Sequence, residues 1–309
     1  MSSTEGEPST NKRPSWGFEE GQEITDRYVA LDVLGGGRSY EVYLAQDQVR
    51  LALVVVKLLR PNLVDEERER KTLAREVDAL NRLAHPVIVR GFESDLDGPH
   101  PYVVLEHLDG PHLSRLIRRY PLELEQVLPL GIQISSAVHY MAKENMVHLD
   151  IKPRNIIMGA PPRLIDLSIA RTTERAASLH GTIGTDAYMA PEQCDPTRAT
   201  IGPPADVWGV GATLYHAVTG KKPFPRAKNY DKDDPLQRWP QLEREPEPMP
   251  EKVHPSLKEL VLDTMTPDPN QRPTAEDVVR RLEPLVAGLP TRPVLRRMRP
   301  RLAPRKKPD

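Results

Sequence analysis

Short apolar runs in the first third of the chain predict a small β-sheet. Runs rich in β-branched and other apolar residues, bounded by turn-forming or charged residues, are typical of strands. They occur at residues 28–34, 41–47, 51–58, 87–92 and 102–106. Residues 66–84 are charged but carry leucines and a valine at helical spacing, which predicts one amphipathic helix. Five strands and one helix therefore make up the first part of the chain.

The pattern becomes helical after residue 110. Helices are predicted at residues 123–144, 206–219, 256–265 and 274–285. Gly220 would cap the second of these helices at its C-terminus. Thr274, with Asp277 three residues later, would open the last helix as a capping box. Residues 221–254 are dense in proline and acid, with only a weak helical signal at residues 236–242.

The two ends of the chain lack any such pattern. Residues 1–24 are rich in Ser, Thr, Glu and Pro, so we expect them to be disordered. Residues 286–309 form a basic tail rich in Pro and Arg. Residues 291–309 hold eight Lys/Arg and one Asp, a charge of +7, so the net charge of −1 leaves −8 for residues 1–290. We expect the tail to contact the acidic body of the chain, an anionic membrane or a nucleic acid, with a solvated arm as the alternative.

The composition is that of a globular protein, with 38% hydrophobic and 28% charged residues. The longest apolar run, residues 51–56, is far too short to span a bilayer. The N-terminus lacks the apolar region of a secretory signal. The single cysteine, Cys194, excludes an internal disulfide and a thiolate metal cluster. We therefore expect a cytoplasmic protein without a transmembrane segment.

A glycine-rich segment lies between the first two predicted strands, and its key residues are Leu34, Gly35, Gly36, Gly37 and Val42. Glycines let backbone N–H groups approach phosphate oxygens, although a flexible hairpin tip would contain the same residues. Lys57 ends the third strand, where a lone lysine would be an edge residue. Glu76 lies on a helix face that could meet it. A strand lysine held by a helix glutamate resembles the pair that grips the α- and β-phosphates of ATP in protein kinases.

Residues 148–155 resemble the protein kinase catalytic loop H-R-D-x-x-x-x-N at their His, Asp and Asn. The resemblance implies that Asp150 takes the proton of the substrate hydroxyl and that Lys152 lies against the γ-phosphate. It also implies that Asn155 binds Mg²⁺, with Mn²⁺ as the alternative metal. Eleven residues later, Asp166 occupies the place of the D-F-G aspartate, the second metal ligand. Singly these residues would fit a turn or a helix cap, but their spacing favours the catalytic loop.

Later segments resemble the frame of the same family. Residues 184–192 resemble the end of the activation loop, and Thr185 with Lys152 matches the serine/threonine branch. Asp206 resembles the buried aspartate that holds the catalytic loop. Arg272 resembles the arginine that pairs with the A-P-E glutamate, here Glu192.

Residues 105–108 resemble the hinge between the two kinase lobes. There the carbonyl of Glu106 and the N–H of Leu108 would bind the adenine edge. An ordinary strand end would have the same residues, so only the register with the other motifs favours the hinge.

Together these motifs cover residues 25–285 and resemble eukaryotic-like serine/threonine protein kinases of the bacterial type. The resemblance implies an α+β, bilobal protein kinase fold. Its N-lobe, residues 25–107, would hold the five-stranded sheet and one helix, and its C-lobe, residues 108–285, would be mainly α-helical. The implied function is transfer of the γ-phosphoryl group of ATP to Ser/Thr hydroxyls of protein substrates and of the chain itself, in signal transduction.

Three positions depart from the family pattern: Tyr40 at the third loop glycine, Leu149 at the arginine before the catalytic aspartate, and Ser168 at the glycine of D-F-G. None of them is a ligand of metal or phosphate. The groups that would carry the chemistry all remain: Lys57, Glu76, Asp150, Asn155 and Asp166. Their presence favours an active kinase. The alternative is a pseudokinase, an ATP-binding signalling scaffold with little or no phosphotransfer.

Two of these departures carry structural predictions. In many kinases the arginine at the place of Leu149 binds a phosphate on the activation loop. Leucine offers no donor, so we predict that phosphorylation of the loop activates the enzyme little. The candidate phosphosites are Thr172, Thr173, Ser178 and Thr182. If the φ angle of Ser168 is positive, its Cβ costs about 1–2 kcal/mol relative to glycine.

Overall fold

The computed structural model describes residues 13–289, which form a small sheet-containing lobe and a larger helical lobe. The small lobe consists of β1 (Tyr28–Gly36), β2 (Tyr40–Asp47), β3 (Ala52–Leu59), α1 (Glu67–Arg82), β4 (Gly91–Asp95) and β5 (Tyr102–Glu106). Neighbouring strands are antiparallel and follow the order β1-β2-β3-β5-β4. The predicted α+β fold class, with five strands and one helix in the small lobe, is confirmed.

The two faces of this sheet have different partners because side chains alternate along each strand. On one face Val54, Val56 and Leu58 are completely buried in a core that belongs to the small lobe. Lys57 lies between them in sequence and therefore points to the other face, where α1 packs. Lys57 is paired across the ladder with Val103, which belongs to the core shared with α1 and the large lobe. Strand β3 thus places the ammonium group of Lys57 at the junction of the two lobes.

Residues 13–24 differ from the prediction of disorder, because they lie against the sheet. The indole Nε1 of Trp16 donates to the carbonyl oxygen of Leu59 at 2.8 Å. The Phe18 ring meets Tyr43 edge-on at 5.7 Å, and Ile24 is 2% exposed. The polar composition of the segment hides three large apolar side chains that cover the small-lobe core, and their burial offsets the entropy of ordering it.

The predicted strand at residues 87–92 is wrong in its bounds. β4 begins only at Gly91, and Val87, Ile88 and Val89 are buried at the junction of the lobes. The carbonyl oxygen of Val87 accepts from the N–H of Leu164 at 2.6 Å, and the N–H of Val89 donates to the carbonyl oxygen of Leu164 at 3.0 Å. The apolar run is therefore buried against the large lobe rather than extended in the small-lobe sheet, which periodicity alone does not distinguish.

The large lobe is mainly helical. Its helices are α2 (Leu113–Ile117), α3 (Leu124–Lys143), α4 (Thr173–Ala177), α5 (Pro191–Cys194), α6 (Pro203–Thr219), α7 (Pro235–Arg238), α8 (Pro255–Thr264) and α9 (Ala275–Ala287). Its short strands are β6 (Met146–Val147), β7 (Ile156–Ile157), β8 (Arg163–Leu164) and β9 (Arg171–Thr172), which pair as β6 with β9 and β7 with β8. The long helices α3, α6, α8 and α9 match the predicted ones to within three residues.

Helix α6 runs through the middle of this lobe and packs against α3 and α8. Nearly all of its side chains are buried, Trp208 among them. Gly220 ends α6 with a left-handed φ of 71°, and Thr274 opens α9 with the predicted capping box. Both helix ends are therefore confirmed.

Helix α9 continues to Ala287, two residues beyond the predicted domain end at 285. The predictions for the basic tail after residue 289 and for residues 1–12 lie outside the described residues. No helix within residues 13–289 is long and apolar enough to cross a membrane.

Candidate active site

Lys57 lies at the centre of a buried charge cluster between the lobes. Its Nζ is 2.8 Å from Oε1 and 2.7 Å from Oε2 of Glu76, and 3.2 Å from Oδ1 of Asp166. Burial alone would lower the pKa of the Lys57 ammonium, but the charges of Glu76 and Asp166 outweigh burial and raise this pKa. Lys57 therefore remains a fixed cation, with α1 setting its position through Glu76.

The ring of Tyr40 covers the Lys57 ammonium, with Nζ 4.5 Å from the ring centroid. A cation over an aromatic face is attracted by about 0.5–2 kcal/mol, more where water is excluded. Tyr40 stands at the start of β2, where the family pattern has a glycine. Its side chain thus contributes a contact to Lys57 that a glycine could not make.

The glycine-rich segment forms the turn between β1 and β2, and Gly36 faces Glu41 across the ladder. Gly35 and Gly36 have φ of 136° and 149°, a region that side chains with a Cβ rarely adopt. A Cβ at Gly36 would also collide with the carbonyl oxygen of Tyr40. Glycine is therefore required at Gly36 by the turn itself, whatever else the segment binds.

Asp150 is the hub of a second cluster in the large lobe. Its Oδ2 accepts from Nζ of Lys152 at 2.6 Å and from Nδ2 of Asn155 at 3.0 Å. Its Oδ1 accepts from the hydroxyl of Thr185 at 2.7 Å, and that hydroxyl accepts from Nζ of Lys152 at 2.6 Å. The network fixes the orientation of the Asp150 carboxylate, because each of its oxygens has a partner.

The backbone of this loop is held from below by helix α6. The carboxylate of Asp206 accepts from the N–H groups of His148 and Leu149, both at 2.7 Å. Gln193 donates from Nε2 to the carbonyl oxygens of Leu149 at 2.8 Å and Ile183 at 3.0 Å. Leu149 itself is 3% exposed and therefore cannot reach a phosphate on the loop.

Ser168 does not have a left-handed backbone conformation, although other residues of the site do. Among residues 13–289 the non-glycine residues with positive φ include Leu149 at 65° and Asp166 at 68°, but not Ser168. The condition under which a Cβ at Ser168 would be costly is therefore not met, and no such cost arises. The strained conformation instead belongs to Asp166, whose Oδ1 meets Lys57.

Asn155 and Asp166 are the residues that the sequence predicts as metal ligands, and their surroundings fit a hard cation. The carbonyl oxygen of Asn155 accepts from the N–H of Ile165 at 2.8 Å, and Asp166 is the residue that follows Ile165. The amide nitrogen of Asn155 is turned onto Asp150, so its oxygen is the end left to bind a ligand. Burial would raise the pKa of Asp166, but Lys57 and a hydrogen bond from Ser168 outweigh it and lower that pKa.

Two oxygen donors suit Mg²⁺ or Mn²⁺, which keeps waters and binds phosphate oxygens as well. Within residues 13–289 no group of three or more His, Cys, Asp or Glu side chains is placed to hold a metal by itself. A metal at this site would thus depend on ligands from a bound phosphate, together with Asn155 and Asp166.

The hinge residues lie where β5 ends. Glu106 closes the ladder opposite Val54, and its side chain accepts from the N–H of Arg90 at 2.9 Å. The N–H of Leu108 has no hydrogen-bond partner among residues 13–289. Leu34 on β1 is 51% exposed although it is a large apolar residue. A flat aromatic base could accept a hydrogen bond from the N–H of Leu108 and pack against the Leu34 side chain.

Glu192 and Arg272 form a buried ion pair under the catalytic loop. Nη1 and Nη2 of Arg272 lie 2.7 and 2.8 Å from the two carboxylate oxygens of Glu192, and both side chains are at most 1% exposed. Arg272 also donates to the carbonyl oxygens of Pro204, Thr266 and Pro267. The paired geometry matches the frame that the sequence predicts.

Sequence reasoning missed Asp186, which follows Thr185. Its carboxylate accepts from Arg226 at 3.0 Å, from Arg238 at 3.2 and 3.3 Å, and from the indole of Trp239 at 3.0 Å. Although burial would raise the pKa of Asp186, these hydrogen bonds lower it. The side chain of Gln241 donates to the carbonyl oxygen of Asp186 at 2.7 Å. The proline-rich stretch after α6 therefore anchors the segment that carries Thr185.

The predicted phosphate-binding, metal-binding and catalytic side chains fall into two clusters that are joined between residues 155 and 166. One consists of Lys57, Glu76 and Asp166 below the glycine turn, and the other of Asp150, Lys152, Asn155 and Thr185. The hydrogen bond between Asn155 and Ile165 joins them. A cleft between the lobes thus presents a fixed cation, the side-chain oxygens of Asn155 and Asp166, and an oriented carboxylate.

Comparison with known proteins shows the family. Residues 28–282 match the family described as protein kinase domain. The chain is 32% identical over 212 residues to serine/threonine-protein kinase PknB of Mycobacterium leprae, covering 65% of this chain and 34% of that protein. It is 31% identical over 209 residues to serine/threonine-protein kinase PrkC of Bacillus subtilis, covering 66% and 32%.

A mammalian protein is also similar. The chain is 28% identical over 271 residues to serine/threonine-protein kinase 36 of Mus musculus, covering 85% of this chain and 19% of that protein. The chain therefore spans about a third or less of the length of these three relatives.

Proposed function

This chain belongs to the protein kinase family, and on that premise we propose that it transfers the γ-phosphoryl group of ATP to serine and threonine hydroxyls of proteins. The observation that carries the proposal is the geometry around Asp150. Its carboxylate is oriented by Lys152, Asn155 and Thr185, and Lys57 is held by Glu76 next to Asp166. Phosphoryl transfer depends mostly on such positioning and on compensation of phosphate charge.

Asp150 is the group that would receive the substrate proton. Within residues 13–289 its Oδ2 accepts two hydrogen bonds, whereas Oδ1 accepts only the one from Thr185. A carboxylate oxygen has two acceptor sites, so Oδ1 has room for the substrate hydroxyl. The hydroxyl oxygen would attack the γ-phosphorus while its proton passes to Asp150 and the bond to the β-phosphate oxygen breaks. ADP and the phosphorylated side chain are the products.

The cations of the site would hold the triphosphate during this step. Lys57, fixed by Glu76, would bind the α- and β-phosphates, and Lys152 would lie against the γ-phosphate. Asn155 and Asp166 would hold Mg²⁺ or Mn²⁺, which supplies charge compensation between the β- and γ-phosphates when bound. Leu34 and Val42 would cover the base, and Glu106 and Leu108 would bind its edge through their backbone. Gly35, Gly36 and Gly37 would lie over the phosphates.

Specificity for serine and threonine rests on Thr185 and Lys152. The hydroxyl of Thr185 bridges Asp150 and Lys152, which matches the serine/threonine branch of the family. PknB and PrkC, two of the relatives, are named as serine/threonine kinases. The cytoplasmic location and the partners of the basic tail stay predictions.

The proposal is tested with γ-labelled ATP, Mg²⁺ or Mn²⁺, and a generic basic protein substrate, using wild-type protein beside Asp150→Asn. We expect label on phosphoserine and phosphothreonine of the substrate, and on the kinase itself, with the wild type only. Label on neither protein, with nucleotide still bound, would identify the pseudokinase alternative. Equal labelling by both proteins would contradict the role of Asp150.

A further inference from the structure

A basic cavity lies beside the segment that carries Thr185. It has a volume of about 520 Å³ and is lined by Lys221, Lys222, Arg226, Lys228, Tyr230 and Glu247, among others. The lining thus carries four cations and one carboxylate. Lys221, Lys222 and Lys228 are exposed, and none of them forms an ion pair with any carboxylate of residues 13–289. Arg226 is the member of the set that is already paired, to Asp186 at 3.0 Å.

Contacts on two sides connect this cavity to the catalytic cluster. Arg226 binds Asp186, whose neighbour Thr185 donates to Asp150. On the other side, the hydroxyl of Tyr188 is 2.6 Å from Nδ1 of His216. Burial, together with the nearby charge of Lys222, lowers the pKa of His216 to about 4. The cavity therefore contacts the segment 185–188 directly through Arg226, and Lys222 on its lining lies close enough to affect His216, the partner of Tyr188.

The walls of the cavity are rigid enough to present these charges in place. Phe224 is 4% exposed and stacks on Trp208 of α6 with 5.7 Å between ring centroids. The N–H of Glu247 donates to the carbonyl oxygen of Pro223, and its own carbonyl oxygen accepts from the hydroxyl of Tyr215. The Arg226 guanidinium lies over the Tyr230 ring at 4.5 Å. The lysines thus extend from a backbone that is tied to the core of the large lobe.

We propose that this basic cavity binds an acidic side chain of the protein substrate at a fixed distance from the residue that is phosphorylated. The inference rests on the proposed function, because it concerns the substrate of the same reaction. Lysines that lack carboxylate partners are stabilised by an anion. The substrate must approach Thr185 to reach Asp150, and Arg226 of the cavity binds the residue next to Thr185. A glutamate, an aspartate or a phosphorylated residue supplies the same charge.

The test uses a set of peptides with one serine and neutral flanks. Each of four positions on either side of the serine carries glutamate, glutamine or phosphoserine in turn. For the wild type we expect one or two positions at which glutamate raises kcat/KM about fivefold over glutamine, the value of an exposed ion pair. Phosphoserine at the same positions should raise it further at low salt, because it carries more charge.

The variant for this test is Lys222→Gln with Lys228→Gln, and its control is Lys143→Gln with Lys252→Gln, which removes two exposed lysines elsewhere. We expect the ratio of kcat/KM for the glutamate and glutamine peptides to fall to near one in the first variant only. A wild-type ratio below about two at every position, or an equal ratio in both variants, would overturn the proposal.

A binding measurement separates this inference from the proposed function. The anisotropy of labelled glutamate and glutamine peptides reports affinity whether or not the protein transfers phosphate. Tighter binding of the glutamate peptide that is lost in the Lys222/Lys228 variant, without turnover, would support the basic cavity and overturn the kinase activity. Turnover of the peptides without any preference in binding or in kcat/KM would leave the activity standing and overturn the basic cavity. Neither turnover nor preferential binding would overturn both.

Discussion

The ion pair between Glu192 and Arg272 gives a prediction whose size follows from its burial. Both side chains are at most 1% exposed, and two hydrogen bonds of 2.7 and 2.8 Å join them. Replacing Glu192 with glutamine keeps the shape but leaves the Arg272 charge without its partner inside the protein. Removing one member of a buried pair costs about 3–5 kcal/mol. For a domain of this size that corresponds to a fall in Tm of roughly 6–20 °C.

The measurement is thermal unfolding of the wild type, of Glu192→Gln and of the surface control Arg280→Ala. The Arg280 side chain is 67% exposed and pairs with Asp277, so the loss of this pair should lower the free energy of unfolding by less than about 1 kcal/mol. A fall in stability below about 1 kcal/mol for Glu192→Gln would refute the view that this pair holds the frame.

Three further predictions concern residues around the site. Asp186→Asn should raise KM for a protein substrate about tenfold while KM for ATP stays within twofold, because Asp186 anchors the segment next to Thr185. An equal change in the two KM values, or the same rise in the exposed control Asp231→Asn, would contradict this. Burial, followed by the nearby charges of Asp186 and Glu192, raises the pKa of the Cys194 thiol. Iodoacetamide should therefore label Cys194 only after unfolding, and rapid labelling of the native protein would disprove the burial of this thiol. Replacing the candidate phosphosites Thr172, Thr173 and Ser178 with alanine together should lower activity only a few-fold, since the buried Leu149 offers a phosphate no donor. A loss of about a hundredfold or more would show that another residue, such as the half-buried Arg171, binds the phosphate instead.

The parts of the fold that sequence predicts well are those with a local signal. Short apolar runs predict β2, β3 and β5, and helical spacing predicts α1, α3 and α9, because both signals lie within a few neighbouring residues. From their places on a strand and a helix, the sequence predicts that Glu76 can meet Lys57. The structure brings them within 2.8 Å.

The parts that sequence misses depend on contacts between distant residues. Trp16 and Phe18 look isolated in a polar segment, and only the small-lobe sheet explains their burial. Asp186 is anchored by residues 40 to 53 positions away, in a stretch without periodicity. The ring of Tyr40 over Lys57 likewise follows from how the glycine turn folds back. No local pattern carries that information.

The central claim is that the cleft between the lobes transfers phosphate, and Asp166→Asn tests it most directly. The change is isosteric, and the Asp166 side chain is 37% exposed, so the fold and the pair of Lys57 with Glu76 should survive. We predict that kcat for a protein substrate falls by about a hundredfold or more, since a charge that serves the phosphates is lost. The control Asp195→Asn, at a partly exposed aspartate outside the cleft, should change little. Near wild-type turnover by Asp166→Asn, with Tm unchanged, would contradict the account.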